Sequence, residues 1–76
     1  MTTELSKQVT AIAVYYLGPA ASVFLERQTK NHMEGLVFAN LQREHLHQLE
    51  YWVRISAGIL IDKEKAKEFG DRISRL

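Results

Sequence analysis

Between Leu41 and Leu60 the apolar residues recur with the period of an α-helix, and they occupy more of its circumference than one buried face requires. Leu46, Leu49, Val53, Ala57 and Leu60 form one stripe, and Trp52, Ile55 and Ile59 widen it. The resulting apolar arc spans about 200°, where an ordinary surface helix needs little more than about 100°. Such a helix is either central to a bundle or apolar on a second face that meets a partner. The spacing predicts a helix over 41–60, with Asn40 as its N-cap.

The flanking segments are also helical in pattern. Leu5, Val9, Ile12 and Tyr16 share one face of a helix predicted over 3–17, with Thr3 as N-cap and Glu4 in its first turn. Gly18 ends that helix in a positive-φ conformation, and Pro19 suits the first position of the next. The second helix is predicted over 19–30, with Val23, Phe24 and Gln28 on the face of Ala20. Asn31-His-Met-Glu34 reads as a capping-box-like start, so residues 31–40 are expected to form a short helical turn or a packed loop. Asp62 caps a fourth helix over 63–75, whose stripe is Ala66, Phe69, Ile73 and Leu76. No segment alternates as a strand does. The expected fold is all-α, a small bundle of about four helices in one domain over 1–76. Its most buried side chains are expected to be Ile12, Tyr16, Phe24, Leu49, Val53, Leu60 and Phe69.

A chain of 76 residues buries only about 60–65% of its unfolded surface, so packing or self-association must stabilise it. It contains no Cys, which rules out disulfides, thiolate zinc ligands and a thiol nucleophile. Ten Lys and Arg against nine Asp and Glu give a net charge of +1. That balance argues against a strongly basic nucleic-acid binder. The longest apolar runs fall far short of a membrane span, and the N-terminus lacks the pattern of a signal peptide, so a cytoplasmic setting is expected by default. No helix pairs a basic face with a bulky apolar one, as membrane-surface helices do.

Candidate chemistry is sparse. His45 and His47 are two residues apart on a predicted helix and project in opposing directions. Glu44 and His47 could share a face, but two ligands make only half a site. Ser6, Ser22, Ser56 and Ser74 lack a nucleophile-elbow context, and Gly18 alone is no phosphate loop. The expectation is therefore no catalytic site, no cofactor, no metal and no small-molecule substrate. Tyr16 and Trp52 lie on apolar stripes and are assigned to the core. Tyr15 and Tyr51 lie off the stripes and suit a rim or partner contact.

The stretch Tyr16-Leu17-Gly18-Pro19-Ala20-Ala21-Ser22-Val23-Phe24-Leu25-Glu26-Arg27 resembles a Y-I/L-G-P-I/M-A signature followed by aliphatic residues and a K/R. That signature marks a small helical domain of unknown function at the ends of bacterial and archaeal signalling proteins. These include serine/threonine kinases, nucleotide cyclases and proteins with roadblock-type domains. Leu49, Val53, Ala57, Leu60, Asp62 and Phe69 follow an order similar to that family's C-terminal pattern. Ala20 departs from the usual branched residue after the proline. The resemblance implies a non-catalytic accessory or interaction domain. The Gly18-Pro19 pair has a physical reason beside it: one helix stops, the next starts at once, and Ala20, Ala21 and Ser22 are small enough for close packing.

The expected role is a protein–protein interaction module that self-associates as a homodimer. Tyr51, Trp52, Ile55 and Ile59, with Tyr15, are its expected contact surface. The alternative is a small helical nucleic-acid-binding regulator, which would need a basic stripe of Lys and Arg on the folded surface.

Overall fold

In a computed structural model, which describes residues 2–76, helix α1 covers Glu4–Leu17 and α2 covers Ala21–His32. A 3-10 turn, Gly18–Ala20, joins them. Two further 3-10 turns, Phe38–Asn40 and Arg43–His45, lead into α3 (Leu46–Leu60), and α4 (Lys63–Ser74) follows. The described residues contain no strand, so the fold is all-α.

Helical structure is unbroken from Glu4 to His32, so the molecule has three continuous helical segments where about four helices were expected. Gly18 bends the first segment without interrupting it. Its φ of 59° and ψ of −134° are open to glycine but strained for other residues. Pro19, with no N–H to satisfy, is the second residue of the 3-10 turn. The bend lets α1 and α2 pack against each other. By length and composition alone, the 29 residues Glu4–His32 are long and apolar enough to cross a membrane. Here the segment is folded in two, and Val9, Ala13 and Leu25 within it are buried in the bundle.

Two predicted caps are present. The Thr3 hydroxyl accepts from the Ser6 N–H (3.1 Å) and donates to the Leu41 carbonyl (2.8 Å), while the Thr3 N–H donates to the Ala39 carbonyl (2.9 Å). One residue thus starts α1 and ties it to the loop before α3. Asp62 Oδ1 accepts from the N–H groups of Glu64 and Lys65 at the start of α4.

The middle of the chain departs from expectation. Helix α2 continues past Lys30 to His32, so Asn31-His-Met-Glu34 closes a helix instead of opening one. Glu34 and Gly35 take positive φ of 57° and 74°. Helix α3 begins at Leu46, and Asn40 is not its cap. Leu41 and Gln42 are extended (ψ 131° and 165°), with Leu41 fully buried and its carbonyl taken by the Thr3 hydroxyl instead of by a helical N–H. The His45 ring closes the next turn by accepting from the Gln42 N–H at Nδ1 (2.9 Å).

The core joins α1, α2, α3 and α4 to this loop. Phe24, Leu49, Val53 and Phe69 are buried as expected. Ile12 and Tyr16 are only half-buried, because α1 turns inward on Leu5, Val9 and Ala13. Leu60 is 62% exposed: it is the last residue of α3, where the chain turns away at Ile61. On α2, Val23 faces out and Leu25 is fully buried. Met33, Phe38 and Leu41 from the loop complete the core.

Candidate functional site

The exposed apolar surface concentrates on α3. Tyr51 is 57% exposed, Ile55 46%, Ile59 83% and Leu60 62%, and Val23 of α2 joins at the edge. The inward stripe of α3 is Leu46, Leu49, Val53 and Ala57, all buried. The wide arc therefore belongs to a helix with a second, unpartnered face.

Each neighbour of α3 has a reason to be where it is. Helix α4 lies along one side, held by Arg54, whose Nη2 sits 2.7 Å from Asp71 Oδ1 and 3.5 Å from Glu50 Oε1. Helix α2 lies along the other side, where the Ser56 hydroxyl donates to Gln28 Oε1 (2.8 Å). Trp52 projects towards α2 and is half-buried. Its ring stacks on His32 with centroids 4.0 Å apart and planes 9° from parallel. The Tyr51 ring stands edge-on to Trp52 at 5.1 Å. Trp52 is thus a support beneath the surface, while Tyr51, Ile55 and Ile59 stand on it.

Two shallow grooves flank Ile59. One, of about 340 Å³, runs along the α4 side over Gly58 between Ile55 and Ile59, and is bordered by Lys63 and Lys67. The other, of about 390 Å³, lies on the α2 side between Val23 and Leu60, with Arg27 at its border. Val23, Leu60 and the Gly58 notch were not among the expected contact residues. Leu60 falls within the buried stripe by angle, and only its place at the helix end exposes it.

Tyr15 lies apart from this face. It is 71% exposed on α1 and borders a different groove with Tyr16, Ile61 and Lys65. The Arg72 guanidinium lies 5.2 Å from the Tyr15 ring centre and 5.6 Å from that of Tyr16. The Tyr16 hydroxyl donates to Glu68 Oε2 at 2.6 Å. Burial first, and this hydrogen bond second, push the Tyr16 pKa up. Arg72 is pushed up too, mainly by the Tyr16 phenol beside it. Gly18 and Pro19 serve the bend described above.

Several of the polar groups weighed for chemistry make structural contacts, while Ser22, Glu44 and His47 are exposed. His45 closes a turn and His32 supports Trp52. The Ser6 hydroxyl donates to the Thr3 carbonyl, and that of Ser74 to the Asp71 carbonyl. Among the described residues, no three His, Asp or Glu side chains form a cluster able to hold a metal. No family model, curated protein or solved structure matches this chain.

Proposed function

We propose that this protein is a non-catalytic helical interaction module, a cytoplasmic accessory of prokaryotic signalling that self-associates through the outward face of α3. The observation carrying this reading is the run Tyr51, Ile55 and Ile59, exposed on a helix whose opposite stripe is fully packed. Small domains avoid contiguous exposed apolar patches unless something binds them. A two-fold contact buries such a patch against its own copy.

The placement of charge supports this reading over a nucleic-acid-binding one. Arg54 is engaged by Asp71 and Glu50, Arg72 lies over the Tyr15 and Tyr16 rings, and Lys65 borders the Tyr15 groove. Lys63 and Lys67 border the Gly58 groove beside the already engaged Arg54, fewer cations than a phosphate-tracking stripe needs. Sedimentation velocity tests the reading. The parent chain is expected to dimerise, and Ile55→Lys to remain folded by circular dichroism while sedimenting as a monomer. A parent that stays monomeric at high micromolar concentration would remove the proposal.

A further inference from the structure

We infer that the two copies pack antiparallel along α3, about a two-fold axis beside Ile55, with Tyr51 of each seated over Gly58 of the other. This rests on the self-association reading above and specifies its geometry.

The shape of the face is self-complementary in only one direction. Tyr51 lies four residues before Ile55, and Gly58 and Ile59 lie three and four residues after it. At about 1.5 Å per residue these steps are about 6 Å before Ile55 and 4.5–6 Å after it. An antiparallel copy centred beside Ile55 therefore sets the largest knob of one helix opposite the one position of the other that lacks a side chain. A parallel copy would set Tyr51 against Tyr51 and notch against notch, leaving a void. The knob is also pre-positioned, since the Tyr51 ring rests edge-on against Trp52, itself stacked on His32. Ordering it on contact then costs little entropy.

Charge selects the same direction. Glu44, just before α3, is exposed and its neighbour Arg43 is turned to the Leu76 carbonyl, while Lys63 and Lys67 lie beside the C-terminal end of α3 and are exposed too. Antiparallel packing brings Glu44 of one copy towards the lysines of the other, and parallel packing brings lysine to lysine. Arg54, the cation nearest the centre, is drawn aside to Asp71 and Glu50.

The absence of native cysteine makes the test clean. Tyr51 and Ile55 are exposed, and a Cβ at Gly58 meets nothing closer than the Ala66 Cβ at 4.0 Å, so cysteine fits at all three positions. Under mild oxidation Ile55→Cys is expected to give a covalent dimer, because the axis brings that residue to its own copy. Tyr51→Cys and Gly58→Cys are each expected to stay uncrosslinked alone and to join when mixed. Tyr51→Cys coupling to itself as fast as Ile55→Cys would overturn the antiparallel register. So would a sedimenting dimer that crosslinks at none of the three positions. In both cases the dimer persists, and the interaction-module reading survives the loss of its geometry. A monomeric parent overturns both.

Discussion

Arg54 of α3 crosses α4 directly over Gly70, so closely that a Cβ at that glycine would lie 2.5 Å from the arginine Cγ and 3.0 Å from its Cδ. Glycine inside a helix ordinarily costs about 1 kcal/mol relative to alanine. Here it admits the arginine stem, whose far end reaches Asp71 one residue on. The Arg54 Nε is buried at the crossing without a hydrogen-bond partner.

Gly70→Ala is accordingly expected to destabilise the fold by about 1–2 kcal/mol, despite its better helix propensity, because the Arg54 stem must shift and loosen its ion pairs. In an Arg54→Ala background the same change should stabilise by up to about 1 kcal/mol. Urea midpoints of the four proteins give the coupling. Additive effects would mean that the two helices do not meet at this crossing.

Phe69 is the largest fully buried side chain, stacked on Tyr16 at 5.0 Å and tilted against Phe24 at 6.2 Å. It joins α4 to both α1 and α2. Phe69→Ala should cost about 3–5 kcal/mol, a large part of the total stability of a domain this small. A thermal melt within a degree or two of the parent would contradict the docking of α4.

The parts of the fold legible in the sequence are those fixed by neighbours along the chain. Thr3 and Asp62 bond to N–H groups two or three residues ahead, Gly18 answers to a local φ, and the 3.6-residue period places Leu49, Val53 and Ala57 inward. The outward side of α3 was legible for the same reason: Ile55 and Ile59 are too far round the helix to share its buried stripe. What was not legible depends on distant partners. The bonds Tyr16 to Glu68, Gln28 to Ser56 and Arg54 to Asp71 span 52, 28 and 17 residues, and no periodicity announces them. Leu41 is buried by tertiary packing, which overrides the helical pattern around it. The Gly58 notch was invisible because a glycine registers in a hydrophobic pattern only as a gap.

Gly18 offers a test of backbone strain without crowding. Its φ is 59°, and nothing lies within 4 Å of a Cβ added there. Any loss on substitution is therefore conformational. Gly18→Ala should cost about 1–3 kcal/mol, and Gly18→Val somewhat more, since a β-branched residue resists positive φ further. Denaturant unfolding of both variants checks the order. Equal stability of parent and Gly18→Val would mean that the bend does not need glycine.

The packing of Tyr16, with its hydrogen bond to Glu68, predicts an alkaline limb in stability. Burial, and then the hydrogen bond to Glu68, hold the Tyr16 pKa above its ordinary value of 10.0, with Arg72 opposing them. The folded state therefore binds the phenolic proton more tightly than the unfolded state does. That contribution is fully present below about pH 10 and is lost as pH rises through the folded-state pKa. Tyr16→Phe keeps the stacking on Phe69 but has no proton to lose. The stability gap between parent and variant should stay constant from about pH 8 to about pH 10 and shift in favour of Tyr16→Phe above that. Urea midpoints measured across this range check the prediction, and a gap that does not change with pH would show that folding does not raise the Tyr16 pKa.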